Sequence, residues 1–228
     1  MNRSLLKTAF LDTVPVMTGY LFLGFGFGIY LHENGYGLIW SLAMSLFIYA
    51  GSMQYVAVSL ITGGASLITT ALTTLMVNAR HLFYGISMVD AYKGTGKKKP
   101  YLIFALTDET YSLVSQYPRR ADRHGYYFLV SLLDQIYWVT GSALGSLVGS
   151  MIPLNYEGID FVLTALFVTI FVEQWVSTKN HLPAIIGVAS SVLCLILFGA
   201  EIFLIPSMVL ITALLTVIRK TGKENAHD

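Results

Sequence analysis

Residues Lys93–Arg123, with the sequence KGTGKKKPYLIFALTDETYSLVSQYPRRADR, contain the segment that decides how the chain is threaded. Its middle part, Tyr101–Tyr117, is short, and Asp108 and Glu109 lie side by side near its centre. Short loops rich in Lys and Arg stay on the cytoplasmic side of a membrane. Because basic residues flank both ends of this part, we predict a re-entrant or interfacial helix that starts and ends on one side. The flanking residues are Lys93, Lys97, Lys98 and Lys99 before it and Arg119, Arg120 and Arg123 after it.

The composition of the whole chain indicates a protein that lies mainly in lipid. Of its 228 residues, 55% are hydrophobic and 12% are charged, and the mean hydropathy is +0.65. Soluble domains carry about 25% charged residues, so this chain would expose very large apolar patches to water. These values exclude an ordinary cytosolic enzyme. The net charge of +1 gives no bias toward nucleic acid.

The sequence contains none of the common motifs for a cofactor, a metal or catalysis. It has no HExxH, no Walker loop, no G-x-S-x-G and no dinucleotide fingerprint. Its single cysteine, Cys194, lies in an apolar run without zinc-type spacing. We therefore expect a protein that is not an enzyme and has neither a cofactor nor a metal. Any active transport has to use an ion gradient or a separate subunit.

Seven apolar stretches are long enough to cross a membrane. A spanning helix needs about 20 apolar residues, within a range of roughly 17 to 25. Strict alternation is absent and the runs are too long for barrel strands, so we predict an all-α integral membrane protein with seven transmembrane helices. The stretches are Phe10–Leu31, Leu38–Ile61, Ser66–Val89, Tyr126–Ile152, Ile159–Val176, Leu182–Phe198 and Ile202–Ile218.

The predicted threading places the N-terminus outside and the C-terminus in the cytoplasm. Counting from the middle segment, the Lys93–Lys99 loop and the C-terminal tail are inside, and the acidic loop Glu157–Asp160 is outside. Arg3 and Lys7 are exceptions, because this threading puts them at the outer end. An eight-span alternative would leave one of the two middle basic clusters outside and fits the charges less well.

Two distant stretches resemble each other and indicate an internal duplication. Leu11–Gly19 aligns without gaps on Leu133–Gly141, with Leu, Asp, Thr and Gly in common. In the predicted threading the two stretches run in opposite directions, so the three-helix units would form the inverted repeat that recurs in secondary transporters. We predict one transmembrane transporter domain with repeat 1 at about 10–90, a linker with the re-entrant segment at 91–125, repeat 2 at about 126–199 and a final helix at 202–218.

Ionisable side chains within the apolar stretches are candidates for function, because charges inside a membrane are costly. Arg80, in the motif NARH at 78–81, can pair with a carboxylate of the protein or of a substrate. Asp108 or Glu109 could supply the protein carboxylate, bind a substrate ammonium or carry a proton. Alternatively, this segment lies at the cytoplasmic interface and both acids are in contact with water.

Asp12 and Asp134 occupy equivalent positions in the aligned stretches. Asp12 is the third residue of its predicted helix, and Asp134 is the ninth. A carboxylate near a helix N-terminus can cap free N–H groups and interacts favourably with the helix dipole. The alternative is a role in proton coupling.

Gly24, Gly26 and Gly28 make the first predicted helix rich in glycine. Small residues four apart allow close helix packing. However, each glycine lowers helix propensity by about 1 kcal/mol, so three within five residues favour local unwinding. Exposed backbone groups at mid-depth could then bind the charged ends of a small zwitterion.

Three polar motifs occur in the order AGSMQ at 50–54, NARHLFYG at 78–85 and TDETY at 107–111. With the glycine-rich first helix, they make the chain resemble the AzlC/BrnF family, the large subunits of bacterial branched-chain amino acid exporters. The resemblance implies a bacterial inner-membrane protein that depends on the proton gradient and works with a small hydrophobic AzlD-like subunit. The motif positions carried over are Gln54, Asn78, Arg80, His81, Asp108 and Glu109.

The resulting hypothesis is a secondary transporter that exports small apolar amino acids. A channel or a structural subunit of a membrane complex is the main alternative, and an intramembrane enzyme that uses His81 is a weaker one. The candidate substrate-binding residues are Gly24, Gly26, Gly28, Gln54, Asn78, Arg80 and His81. The candidates for proton coupling or ammonium binding are Asp108, Glu109, Asp12 and Asp134.

Overall fold

The computed structural model describes residues 3–117 and 122–151, together with 164–165, 168, 171–172, 175–176, 178–199 and 203–224. Within these residues the regular structure is helical throughout. The chain divides into two compact units, Met1–Leu166 and Phe167–Asp228. The candidate site residues all belong to the first unit.

Two long helices, α1 (Arg3–Glu33) and α8 (Arg123–Met151), form the centre of the first unit. Within the described residues, α1 is the one helix whose length and apolar composition suffice to cross a membrane. Its 31 residues extend about 46 Å at 1.5 Å per residue, which exceeds the ~30 Å hydrocarbon core. The helix continues through Pro15.

The helices α1 and α8 run parallel to each other. Leu5 lies against Gly125 near their N-terminal ends, and His32 lies against Gly149 near their C-terminal ends. Between these points, a Cβ atom added to Gly28 would overlap the α8 backbone around Ser142–Ser146. The two backbones are therefore in direct contact, as small residues four apart permit.

The first helical hairpin consists of α2 (Leu38–Phe47) and α3 (Gly51–Thr62). The helix α2 runs antiparallel to α8, because Ser41 donates a hydrogen bond to the Ser142 carbonyl and Leu46 accepts one from Gln135. The chain then reverses, and α3 returns until Ser59 reaches the hydroxyl of Tyr30 in α1. Both ends of this hairpin therefore lie near the C-terminal end of α1.

The helices α4 (Leu67–Val77) and α5 (Ala79–Met88) form one rod that is interrupted at Asn78. Ser66 begins α4 by accepting a hydrogen bond from the amide of Thr69, the usual N-cap contact. At the other end, Met88 packs in a buried cluster with Ala9 near the start of α1. The rod therefore runs antiparallel to α1.

The second helical hairpin consists of α6 (Lys99–Phe104) and α7 (Asp108–Gln116), after a short 3₁₀ turn at Gly96–Lys98. The aromatic ring of Tyr117 stacks on Tyr126 at the beginning of α8, with 3.7 Å between ring centroids. Lys98, before α6, lies over the ring of Phe128 in the same part of α8. Both ends of this hairpin thus lie near the N-terminal end of α8, and its turn lies deeper along the helix.

The observed directions correct the predicted threading. The stretch Leu38–Ile61 is not one spanning helix, because the chain reverses direction at 48–50. The stretches Leu11–Gly19 and Leu133–Gly141 lie on parallel helices, so they are not inverted relative to each other. The N-terminus lies at the same end of the unit as the Lys93–Lys99 loop, since His124 contacts Gly94 and Leu5 contacts Gly125. The prediction that put them on opposite sides is wrong.

The second unit contains α9 (Leu182–Phe198) and α10 (Leu204–Glu224), which pack against each other. The amide of Leu182 donates to the Asn180 side chain, and Pro183 lies in the first turn of α9. These two helices correspond to the last two predicted stretches. The predicted helix at 159–176 lies largely outside the described residues, so the boundaries of repeat 2 stay a prediction.

Candidate functional site

Three helix N-termini meet where the first hairpin, the second hairpin and the interrupted rod come together. Ser52 lies in the first turn of α3, Arg80 in the first turn of α5 and Asp108 in the first turn of α7. The guanidinium of Arg80 forms an ion pair with the Asp108 carboxylate at 2.5 Å and donates to the Ser52 hydroxyl at 3.1 Å. This pair is one of the alternatives predicted from the sequence, in which Asp108 supplies the protein carboxylate for Arg80.

The ion pair retains an unused donor and an unused acceptor. Arg80 Nε and Asp108 Oδ1 are both buried atoms without a hydrogen-bond partner among the described residues. Unsatisfied polar atoms in a low-dielectric interior are costly. A molecule that offers an acceptor to Arg80 and a donor to Asp108 would satisfy both atoms at once.

A cavity of about 480 Å³ lies in the first unit. Arg80 and Asp108 do not line it, but Ala50, Asn78, His81 and Leu106, each within two residues of Ser52, Arg80 or Asp108 in the sequence, do. Tyr92 and Lys99 line it at the basic end of the unit, while Asn78 and His81 line it at the break between α4 and α5. Its volume lies within the roughly 300–1,000 Å³ that small-molecule pockets occupy. The apolar part of the wall comes from Ile48, Leu82, Val89, Ile103, Phe104 and Leu106.

The turns of the two hairpins meet beside this cavity. Tyr49, between α2 and α3, and Phe104, at the end of α6, have ring centroids 6.1 Å apart, and both side chains line the cavity. Tyr49 has a φ of 44°, the left-handed region that a tyrosine rarely adopts. The sharp reversal at 48–50 requires this backbone conformation.

Glu109 and Asp134 belong to a second polar cluster. The hydroxyl of Tyr20 lies 2.6 Å from Glu109 Oε2 and 2.7 Å from Thr107 Oγ1. Thr107 Oγ1 lies 3.1 Å from Thr110 Oγ1, which donates to Asp134 Oδ2 at 2.7 Å. Asp134 is fully buried. The predicted acids of α7 and α8 are therefore connected by hydroxyl groups, and Asp134 does not cap a helix.

Asp12 is separate from this cluster. Its side chain is exposed and accepts a hydrogen bond from the Tyr126 hydroxyl at 2.8 Å. Although Asp12 and Asp134 align in sequence, the first lies on the outer face of α1 and the second lies inside the unit. The structure does not bring Asp12 to the ion pair or to the cavity lining.

Gln54 is buried in the packing between α3 and α8. Its side-chain carbonyl accepts from Trp138 Nε1 at 2.9 Å, and its amide donates to Ser45 at 3.3 Å. Both polar ends of Gln54 therefore have protein partners. Gln54 fixes the first hairpin against α8 and is absent from the cavity lining.

The glycine-rich part of α1 is helical and is covered by α8. A Cβ atom at Gly24 would lie 3.0 Å from backbone atoms of Trp138 and Ser142. Gly26, between the two packing glycines, is half-buried in the same continuous helix. The predicted unwinding at Gly24–Gly28 is wrong. Close contact with the α8 backbone outweighs the intrinsic cost of glycine in a helix.

Sequence reasoning missed the hydroxyl residues that connect the acids, Tyr20, Thr107 and Thr110, as well as Ser52. One signal was available for Thr107: a threonine directly before two acidic residues is typical of a helix N-cap. In the structure Thr107 caps α7 by accepting from the amide of Thr110. Within the described residues, no group of His, Cys, Asp and Glu side chains could hold a metal ion.

Together, the apolar helical chain, the two hairpins and the ion pair at their meeting point are typical of an integral membrane protein. The family model described as AzlC protein matches residues 15–152. The chain belongs to the AzlC family.

Several curated proteins are similar to most of this chain. The Bacillus subtilis branched-chain amino acid transport protein AzlC is 48% identical over 94% of this chain and 85% of its own length. An uncharacterized membrane protein of Helicobacter pylori is 43% identical over 94% of this chain and 95% of its own length. The Escherichia coli inner membrane protein YgaZ is 27% identical over 87% of this chain and 82% of its own length. No solved structure matches the chain.

Proposed function

We propose that this protein is a secondary transporter that exports branched-chain or similar small apolar amino acids. The observation that carries the proposal is the ion pair between Arg80 and Asp108, which has an unused donor and an unused acceptor. Near neighbours of both residues in the sequence, His81 and Leu106, line an apolar cavity. The Bacillus subtilis relative is named as a branched-chain amino acid transport protein, which supports this substrate class.

An amino acid fits the charges of the ion pair. Arg80 Nε would bind the substrate carboxylate, and Asp108 Oδ1 would accept from its ammonium group. A zwitterion needs both charges compensated at the same time in a low-dielectric site. The aliphatic side chain would then lie against cavity residues such as Leu82 and Leu106, so apolar amino acids would be preferred.

The helix directions support an inward-facing cavity and two inverted halves. Each half comprises one long element and the hairpin that follows it in the chain. The long elements are α1 and the rod α4–α5. Each hairpin is inserted from the end of the unit where its long element finishes. Because the two long elements are antiparallel, the halves have opposite orientations, as in transporters that alternate between two openings.

The basic residues set the orientation that we propose. Arg3, Lys7 and the Lys93–Lys99 loop belong to one end of the first unit, where Arg123 also lies. By the positive-inside rule this end faces the cytoplasm, in a bacterial inner membrane. The N-terminus is then cytoplasmic, and both hairpins are re-entrant. The C-terminal tail is also basic, and we propose a cytoplasmic position for it.

We further propose coupling to the proton gradient and a small hydrophobic AzlD-like partner subunit. The coupling is supported by the buried carboxyl groups of Glu109 and Asp134, since ionisable groups inside membrane proteins commonly serve as proton relays. The partner follows from the family resemblance.

Export can be measured as uptake of radiolabelled valine into inside-out membrane vesicles that contain the full chain and its partner subunit. Respiration acidifies the interior of such vesicles, so a proton antiporter should accumulate valine. Loss of a charge-assisted hydrogen bond is worth about 1.5–3 kcal/mol, so Arg80→Ala should lower the uptake rate roughly ten- to hundredfold. Lys7→Ala, which removes an exposed basic residue of α1, is the control.

The outcome separates a transporter from the alternatives. Saturable uptake that collapses when the pH gradient is dissipated supports the proposal. Uptake that rises linearly with valine concentration indicates a channel, and absence of uptake indicates a structural subunit. Normal uptake by Arg80→Ala, with normal amounts of folded protein, would exclude Arg80 from substrate binding.

A further inference from the structure

The polar cluster around α7 contains four oxygen–oxygen contacts and three hydroxyl groups. The contacts connect Glu109 to Asp134 at 2.6, 2.7, 3.1 and 2.7 Å. Three of these distances lie within the range of an O–H···O hydrogen bond, and the contact between Thr107 and Thr110 is slightly longer. The hydroxyls of Tyr20, Thr107 and Thr110 each have one hydrogen atom, which accounts for three of the four contacts.

For all four contacts to be hydrogen bonds at once, the fourth hydrogen atom has to come from a carboxyl group. The amide of Thr110 also donates to Thr107 Oγ1, but that bond lies outside the four contacts. Two ionised carboxylates would leave one of the four contacts without a hydrogen atom, whereas one protonated and one ionised carboxyl group supply a hydrogen atom to all four. Burial in a low-dielectric interior favours the same arrangement, because it removes one of two like charges.

We propose that Glu109 and Asp134 share one proton, which moves between them through the hydroxyl groups of Tyr20, Thr107 and Thr110. This inference rests on the proposed transport function and assigns its proton pathway. We call the three hydroxyl residues the hydroxyl relay.

The transfer is balanced at every oxygen. Protonated Glu109 donates to Tyr20, Tyr20 passes its own hydrogen to Thr107, Thr107 passes its hydrogen to Thr110, and Thr110 protonates Asp134. Each hydroxyl oxygen gains one hydrogen as it loses one, so all three residues end neutral. The hydrogen bonds then point toward Glu109, and the same steps in reverse return the proton.

The charged and titratable groups around the relay come from several elements. Glu109 faces Tyr20 of α1, Arg80 of α5 and its neighbour Asp108. Asp134 interacts electrostatically with Glu109, with Tyr126 of its own helix and with residues of three other elements. These residues are Tyr20 of α1, Tyr49 between α2 and α3, and Tyr101 of α6.

The two ends of the relay differ in what they can contact. Glu109 is half-buried beside the ion pair of Arg80 and Asp108, whereas Asp134 is fully buried. A cation at the ion pair, such as a substrate ammonium, favours the ionised form of Glu109 and moves the proton to Asp134. When the site is empty, the proton can return to Glu109. Substrate occupancy thereby determines which carboxyl group is protonated.

The test interrupts the relay without changing either carboxyl group. Thr110→Val removes one hydroxyl at nearly constant volume, Thr110→Ser restores it, and Thr18→Val is the control. Among the described residues, the Thr18 hydroxyl donates to the Val14 carbonyl of its own helix. Two measurements are made in proteoliposomes with the partner subunit: valine–valine exchange, which needs no net proton movement, and accumulation driven by a pH gradient.

We expect Thr110→Val to retain exchange and to lose accumulation, and Thr110→Ser to regain accumulation. Accumulation by Thr110→Val at the level of Thr18→Val would overturn the relay. So would failure of Thr110→Ser to restore accumulation when exchange is normal. If the wild-type protein shows no valine exchange, the proposed substrate is wrong, and the relay is then decided by spectroscopy.

Infrared spectroscopy of the purified full chain tests proton sharing without transport. We expect a band of a protonated carboxyl group at neutral pH that disappears in Asp134→Asn and shifts in Thr110→Val. Absence of this band in the wild type would refute the shared proton. If Thr110→Val does not fold, Tyr20→Phe interrupts the relay at another point, with Tyr30→Phe of the same helix as its control, since the Tyr30 hydroxyl bonds to Ser59 instead.

Discussion

Gly145 of α8 offers a direct test of the parallel contact with α1. A Cβ atom at this position would overlap the carbonyl oxygen of Phe25 and would lie 2.7 Å from its carbonyl carbon. Ordinary contacts begin at 3.4 Å, so Gly145→Ala requires the helices to separate by at least 0.7 Å at that atom. At Gly19, in α1, no described residue comes within 4 Å of the corresponding position. Gly19→Ala is therefore a matched control.

The expected difference in stability between the two variants follows from this overlap. Both substitutions gain the helix propensity of alanine, about 1 kcal/mol, so this contribution cancels when they are compared. Overpacking a close contact costs typically about 1–3 kcal/mol. At roughly 2–4 °C per kcal/mol for a chain of this size, Gly145→Ala should melt roughly 2–12 °C below Gly19→Ala.

The assay is thermal unfolding of detergent-purified protein, followed by the fraction that remains monodisperse in size-exclusion chromatography. Equal melting temperatures for Gly145→Ala and Gly19→Ala would refute backbone contact between α1 and α8. A melting temperature of Gly145→Ala above that of Gly19→Ala would also contradict this contact.

Two further predictions concern orientation and the role of the acids. A membrane-impermeant maleimide should label Gly37→Cys in whole cells. It should label Lys7→Cys and Lys97→Cys only after lysis, because these two positions lie at the basic end. Labelling of all three variants in intact cells would contradict the proposed orientation. Asp12→Asn should leave the pH dependence of valine accumulation unchanged, because Asp12 is exposed and lies outside the relay, whereas Asp134→Asn should abolish accumulation. Equal effects of these two substitutions would contradict the separation of Asp12 from Asp134.

Charge patterns predicted that the segment of the second hairpin begins and ends at one side, although they predicted one helix where the structure has two. Basic residues on both sides of Tyr101–Tyr117 indicated that this segment returns to the end where it starts, and the contacts of its two ends with the start of α8 agree. The first hairpin has no such flanks. Leu38–Ile61 is apolar throughout and long enough to span, so its length could not distinguish one crossing from two half-helices. Only the reversal at Tyr49 distinguishes them.

A single miscounted crossing explains why the predicted direction of α1 was wrong. Treating Leu38–Ile61 as a span adds one crossing between α1 and the Lys93–Lys99 loop, and therefore places the N-terminus on the opposite side from that loop. The misplaced charges of Arg3 and Lys7 were the sequence evidence against this count. When Leu38–Ile61 is a hairpin, Arg3 and Lys7 lie at the same end as the other basic residues, and they are no longer exceptions to the positive-inside rule.

The candidate residues were predictable by type but not by role. A charged side chain in an apolar stretch requires a partner, which predicted that Arg80 pairs with Asp108 or Glu109 if its partner is a protein carboxylate, and the structure shows the pair with Asp108. The roles of Gln54 and Gly24 depended on which helix covers them, and α8 lies far away in sequence. Hydroxyl residues such as Thr110 are ordinary in membrane helices, so only their distances identify the connection to Asp134.

The first turn of α7 links the two sites that transport would use. Asp108 pairs with Arg80 at the proposed substrate site, and its neighbour Glu109 begins the hydroxyl relay. Thr107 both caps the helix and forms part of the relay. Because these groups lie on one short, rigid turn, movement of the second hairpin that separates Asp108 from Arg80 would also change the distance from Glu109 to Tyr20. Substrate release and proton transfer would then be coupled through the position of one helix end.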